Sequence, residues 1–417
     1  PVGPKTGETF PIISDVVNSS ATPNSSGSRI TKSLFTELAL PLYKNIDAQI
    51  AVRYEDSNDY GDATVGKFAL GWQLIDQVKL RYSISQTFRA PSLILVNEGF
   101  LGRSSSTNDA LLQYASGIDM DNYSMQRVTE GNPGLQPELG DNESLGVVLE
   151  PINNLIITMD KWSIETEDTV GIFGMANAIL LDTLIRAEGG ASECIGNPNV
   201  IRNSTPAELQ GGAAWPSNLC PAGLVEQVLD FYVNADTRLI EGFDTSVMYS
   251  IDTDYGDFGF KFMNVHFDTK NQEAGGDSLR LSNAGQQGGL LAGLAPVRGV
   301  DDLLGLDGSI EDKYTLNMSW RKGPYEVLVS GTQWGEFYES AHTETIDGVR
   351  EMWLVDKMTM INLTLGYKFD NDLRVRLQVK NLEDERAPLA DETYGNFWGD
   401  LHTDFGRNYN IEFYKKF

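Results

Sequence analysis

The residue types that usually do catalysis are present but scattered. His266, His342 and His402 lie far apart, and no His-Glu-x-x-His, Gly-x-Ser-x-Gly or phosphate-loop string occurs. His342 with Glu344 is the one remnant of a His–carboxylate pairing, and a solvated loop explains it better. The glycines between Gly285 and Gly299 precede no helix start with Lys-Ser or Lys-Thr, so they read as a loop and not as a phosphate cradle. Asp301, Asp302 and Asp307 are oxygen ligands of the kind a hard cation takes, yet their spacing fits no EF-hand loop. No catalytic residue, metal or cofactor is therefore expected. Cys194 and Cys220, the only cysteines, suit one disulfide formed in an oxidising compartment; two free buried thiols are the less favoured reading. Tyr114, Trp215, Tyr338, Tyr394 and Trp398 fall in long polar stretches, where they either contact a ligand or pack loops against one another.

The elements that must position these residues are strands. Val78, Leu80, Tyr82 and Ile84 alternate with Lys79, Arg81, Ser83 and Ser85, which puts an apolar and a polar face on one segment. The same alternation recurs at about Leu34–Tyr43, Ala48–Glu55, Lys67–Leu74, Glu143–Leu149, Leu155–Ile164, Phe243–Ile251 and Phe258–Phe267. It returns at about Tyr314–Trp320, Tyr325–Trp334, Met358–Phe369, Leu373–Asn381 and Tyr409–Phe417, giving about thirteen strands. Their connections alternate between short turns and long Gly-rich stretches, the latter at about Asp56–Thr64, Ala90–Asp141, Glu165–Glu241, Asp268–Asp312, Gly335–Trp353 and Glu383–Asp404. A membrane barrel with tight turns at one end and long loops at the other has this pattern. Aromatics such as Tyr54, Tyr249, Trp320, Tyr325, Tyr367 and Tyr414 gather at strand ends, where an interface wants amphipathic rings. Within the loop at 165–241, Met175–Glu188 has helical spacing, and with the cysteines it reads as a folded cap.

Composition agrees. The chain has 417 residues and a net charge of -27, the wrong sign for a nucleic-acid partner. No run approaches the roughly 18 apolar residues of a membrane helix, whereas strands with one polar face keep mean hydropathy near that of soluble proteins.

Specific strings then resemble one family. Phe88-Arg89-Ala90-Pro91-Ser92, Gly131-Asn132-Pro133-Gly134-Leu135-Gln136-Pro137-Glu138, Glu241-Gly242-Phe243-Asp244 and Asn381-Leu382-Glu383-Asp384 are similar, in order, to segments of TonB-dependent receptors. The resemblance spans about Arg53 to Phe417. It implies an all-β fold: the thirteen or so C-terminal strands of a 22-stranded outer-membrane barrel, with residues 1–30 in an extracellular loop and 31–417 in the barrel. The family's plug domain and TonB-binding segment are not recognisable in this sequence. Phe417 is similar to the terminal aromatic read by the outer-membrane assembly machinery. The implied function is non-enzymatic, TonB-driven uptake of a scarce nutrient: a siderophore, cobalamin, an oligosaccharide or a peptide. Its implied surroundings are outer-membrane lipid and lipopolysaccharide of a Gram-negative bacterium. A passive porin or surface-anchoring barrel is the alternative, and a soluble β-rich carbohydrate-binding or hydrolytic protein is a third reading.

Overall fold

A computed structural model describes residues 25–118, 122–294, 296–346, 349–390 and 396–415. Among these, thirteen strands pair antiparallel in chain order into one open sheet, and the two-residue strand Asp301–Asp302 adds to the side of Gly256–Gln272. Tight turns close one end, as between Thr31–Tyr43 and Ile46–Ser57, or Asp312–Lys322 and Tyr325–Trp334. The other end carries nearly all the remaining chain.

Register sorts the two faces. Trp72 lies opposite Leu80, Leu80 opposite Val147 and Val147 opposite Met159, a continuous apolar row across four strands. Phe68, Trp72, Ile84, Leu145 and Met159 on that face are exposed, so it needs an apolar surrounding that water cannot supply. One residue along, the other face reads Arg81, Gly146, Asp160 and Asp244. Arg81 Nε donates to Asp160 Oδ1 at 2.7 Å across the middle strand. Gly146 makes this possible, since a Cβ there would lie 1.9 Å from that oxygen. The device repeats at Gly366, flanked by Glu326 and Arg376, whose ion pair spans 3.1 Å. Charges at mid-strand are thus neutralised within the polar face, which is how an interior wall holds them stably.

Strands are longer than the alternation alone suggests. Arg238–Thr253 and Gly256–Gln272 have 16 and 17 residues, against the roughly 9–11 a tilted strand needs to cross a bilayer. The excess rises at the long-loop end. This corrects one expectation: Asp56–Thr64 is not a long loop, because strands run to Ser57 and resume at Gly61. That stretch is polar on both faces because both are wet at this height, so alternation fades before pairing does.

The compact apolar clusters lie largely among the loops. The four-stranded sheet Val200–Arg202, Val225–Leu229, Tyr123–Thr129, Leu101–Thr107 draws two strands from each of two loops, joined by a parallel pairing of Gln227 with Gln126 and Leu229 with Val128. The hairpin Phe337–Ile346 with Val349–Val355 forms a separate pair. The side chains of His342 and Glu344, like Tyr394 and Phe417, lie outside the described residues.

Candidate functional site

The helix Met175–Gly189 is the centre of the loop assembly. Its sequence is apolar on more than one side, and the helix is accordingly sandwiched. Ala178 and Ile179 pack on Met125, Val200, Val225 and Val228 of the four-stranded sheet. Leu180, Leu181 and Leu184 pack on Leu281 and Leu291, in and beyond the helix Gly276–Gly285 of a third loop. Gly174 opens the helix at φ 93° and Gly190 closes it at φ 64°, conformations that a side chain would strain.

Charge is buried at this junction. Arg202 donates to Asp109 at 2.7 Å from Nη1 and at 2.9 Å from Nη2, and to Asp182 at 2.8 Å from Nε. Arg186 holds Asp182 from one helical turn away at 3.1 Å, and the Asn197 amide adds a bond at 2.9 Å. Asp109 also caps the helix Ala110–Ser116 through the Leu111 amide and accepts from the Tyr123 hydroxyl at 3.0 Å. Burial pushes the Tyr123 phenol above its ordinary range, keeping it a donor. Two carboxylates and two guanidiniums, joined by hydrogen bonds, therefore tie together two loops far apart in sequence. The chain passes this cluster at Gly196, where a Cβ would meet Asp182 Oδ1 at 1.9 Å.

Cys194 and Cys220 form the expected disulfide, with Cα atoms 5.4 Å apart. It links the exit of the central helix to the segment before Val225–Leu229, beside the cluster of Leu111, Leu112, Leu209 and Leu219. Because that cluster and the ion network hold the same loop, we expect Cys194→Ser with Cys220→Ser to loosen the cap by only about 2 kcal/mol, the low end for such a link. Heat-modifiable migration of the barrel should be unchanged while protease nicking between 190 and 222 increases. Failure of the barrel to assemble would contradict this.

A cleft of about 930 Å³ lies between the second and third long loops, over the outer ends of Arg238–Thr253 and Gly256–Gln272. Ile172, Phe173, Leu181 and Ile185 supply an apolar wall, and Asp168, Thr169, Asp236, Arg238, Glu273 and Arg298 supply polar groups. Its volume falls in the range of small-ligand sites. Of the five aromatics chosen from the sequence, the four described ones, Tyr114, Trp215, Tyr338 and Trp398, do not line this cleft. Tyr114 and Trp215 pack against the Leu111 cluster, with the Trp215 indole donating to Ala207 O at 3.1 Å. Trp398 meets Phe337 edge-on at 5.2 Å, whereas Tyr338 is 42% exposed. Nothing in the sequence marked the cleft, because its walls meet through contacts between loops far apart in sequence, such as Asn177 with the Arg298 backbone and Leu181 with Leu281.

The recognised strings hold loops to barrel. Phe88 packs near Tyr60, Arg89 Nη2 donates to Glu138 Oε1 at 2.6 Å, Pro91 O accepts from Arg29 at 2.7 Å, and Ser92 caps the helix Leu93–Asn97. Regular pairing stops at Arg89, as Pro91 requires. Asn132 Nδ2 donates to Tyr232 O, and Gln136 N to Asn234 Oδ1, stitching the first long loop to the second. Gly242 sits at a bulge where a Cβ would be 2.2 Å from His266 O. Asn381, at φ 54°, exchanges two hydrogen bonds with the Glu385 backbone, Leu382 N reaches Ile361 O, and Asp384 accepts from Arg407 N at 2.7 Å. Asn and Asp therefore cap the strand end, replacing ladder bonds that are lost there. Farther along, Arg386 holds the Asp404 carboxyl down at about 2. His402 sits between Trp334 and Phe337 with neither ring nitrogen hydrogen-bonded among the described residues, and burial pushes its pKa down, so it is neutral at pH 7.

The TonB dependent receptor-like β-barrel family model matches residues 5–382. Among solved structures, the siderophore receptor PirA from Acinetobacter baumannii is 16% identical with a TM-score of 0.55, covering 92% of this chain and 45% of its own. A mutant of the ferric enterobactin receptor PfeA from Pseudomonas aeruginosa, in complex with enterobactin, is 14% identical with a TM-score of 0.55, covering 92% and 45%. The FrpB iron transporter from Neisseria meningitidis is 11% identical with a TM-score of 0.51, covering 92% and 44%. No curated protein matches the chain. The chain spans less than half the length of each of these structures, and at such identities they speak to the fold alone. Thirteen ordered strands with opposite polar and apolar faces, loops folded at one end and the match over residues 5–382 agree: the chain belongs to the TonB-dependent receptor family and forms part of its transmembrane β-barrel.

Proposed function

We propose that the receptor containing this barrel wall imports a scarce solute across the outer membrane of a Gram-negative bacterium, capturing it in the cleft and drawing on TonB for energy. The observation that carries this reading is the cap. Three loops are fixed to one another by a buried ion network and two apolar clusters, and the second is closed on itself by a disulfide, around a cleft of about 930 Å³. A passive pore has no use for so rigid a vestibule, whereas a receptor gains affinity when its site is ordered before the ligand arrives. Lipid and lipopolysaccharide surround the apolar face, the assembly machinery inserts the barrel, and paired strands close the sheet edges at Thr31–Tyr43 and Asn408–Lys415, which lipid would otherwise leave unsatisfied. Siderophores, named for one of the similar structures, are one candidate class beside cobalamin, oligosaccharides and peptides. Exposed Tyr338 adds a ligand contact on the loops away from the cleft on this reading. The test is uptake of radiolabelled members of each class by cells with and without the receptor and TonB. Uptake of one class should require both, and uptake that persists without TonB would refute the proposal.

A further inference from the structure

With a net charge of -27, this chain has carboxylates to spare, and the cap's guanidiniums at Arg127, Arg186, Arg202 and Arg280 are all ion-paired. Among the described residues Arg238, at the floor of the cleft, breaks the rule, as does Arg298 elsewhere on its lining; Lys270 neighbours Arg238 but does not line the cleft. Arg238 and Lys270 stand on the polar face of neighbouring strands, with Arg238 opposite Gln272 and Lys270 opposite Ile240. Arg238 Nε donates to Gln272 Oε1 at 3.0 Å. Gln272 is 2% exposed, and its amide is held at 2.6 Å by Asp236 O, so it serves as a fixed bracket for the guanidinium. The outward nitrogens of Arg238 make no further hydrogen bond among the described residues. Lys270 Nζ meets only the Ser309 hydroxyl, at 2.5 Å. Neither cation has a carboxylate partner among the described residues, and the two repel each other. Half-buried cations without a counter-charge are costly, so the arrangement is completed by an anionic group.

The same cleft carries opposite charge elsewhere on its lining. Glu167, Asp168 and Glu273 are exposed there, with no guanidinium or ammonium bound to them among the described residues. A polyanion would be repelled by this wall, and a plain cation by the floor. A molecule bearing one oxyanion and one ammonium suits both.

We propose that the cleft recognises a zwitterionic ligand, of which a short peptide with free termini is the simplest form, its carboxylate on Arg238 and its ammonium facing Glu167, Asp168 and Glu273. This rests on the cleft being the capture site and adds the class of solute. The probe is an equimolar pool of tetrapeptides offered to the intact receptor in detergent and read by native mass spectrometry, beside the same pool amidated at the C-terminus and the same pool acetylated at the N-terminus. The free pool should be retained at least tenfold better than either blocked pool. Arg238→Gln should erase the distinction between free and amidated peptides without altering heat-modifiable migration, and Arg238→Lys should restore part of it. Equal retention of the three pools, retention of none, or a preference that survives Arg238→Gln overturns the proposal. Binding in detergent needs no TonB, so uptake that persists without TonB would refute the importer reading while leaving this one standing.

Discussion

Arg202→Leu should melt the cap and leave the barrel standing. The side chain is only 4% exposed and, among the described residues, is the one side chain that bonds both Asp109 and Asp182, which are fully buried. Without it Asp182 keeps Arg186, but Asp109 is left as a buried carboxylate with only the Tyr123 hydroxyl and the Leu111 amide. Removing one partner of a buried ion pair costs about 3–5 kcal/mol, and here the loss falls on the junction that joins the first two long loops. Hydrogen exchange in Tyr123–Thr129 and Val225–Leu229 should rise towards that of an open loop. Exchange in Glu138–Ile152 should not change, since its ladder is independent of the cap. Asp109→Asn in the Arg202→Leu background removes the orphaned charge and should recover part of the loss. If exchange in the small sheet stays at the wild-type level, the ion network does not hold the cap.

Leu80→Arg should cost the barrel roughly 2–4 kcal/mol, because it places a guanidinium in the apolar row formed with Trp72, Val147 and Met159, at a height where only hydrocarbon surrounds it. Ser83→Arg is the contrasting change. Ser83 faces the opposite way and shares a hydroxyl contact of 2.9 Å with Ser144, on the same face as the Arg81–Asp160 pair. Water or polar side chains can solvate a new charge there. Urea-driven unfolding from lipid vesicles should therefore separate the two substitutions by about 2 kcal/mol or more, and equal costs would mean that the apolar face does not meet lipid.

The barrel was legible because period-two alternation is a local signal, and so were the strings that stop its strands. Pro91 removes a donor, Asn381 adopts a left-handed turn and Gly242 yields to a neighbouring backbone, each a property of one residue type. The disulfide needed only two cysteines in one loop. The cleft was not legible, because it depends on non-local pairings. Gln227 with Gln126 is a parallel contact across about a hundred residues, and Leu181 with Leu281 a contact between two helices in different loops. Neither leaves a periodicity to read. The aromatics of the loops drew attention for their size, yet Tyr114, Trp215 and Trp398 are engaged in loop packing, while the unpaired cations Arg238 and Lys270 look in sequence like ordinary polar-face residues of strands.

The central claim is that this sheet spans the outer membrane with its folded loops outside and its tight turns in the periplasm. Single cysteines introduced at Ser106 in the cap and at Asp254 and Asn371 in the turns test it directly, since the native cysteines are tied up in their disulfide. Intact cells treated with a membrane-impermeant thiol reagent should label Ser106→Cys and spare Asp254→Cys and Asn371→Cys until the outer membrane is breached. Labelling of either turn on intact cells, or protection of the cap position, would contradict the account.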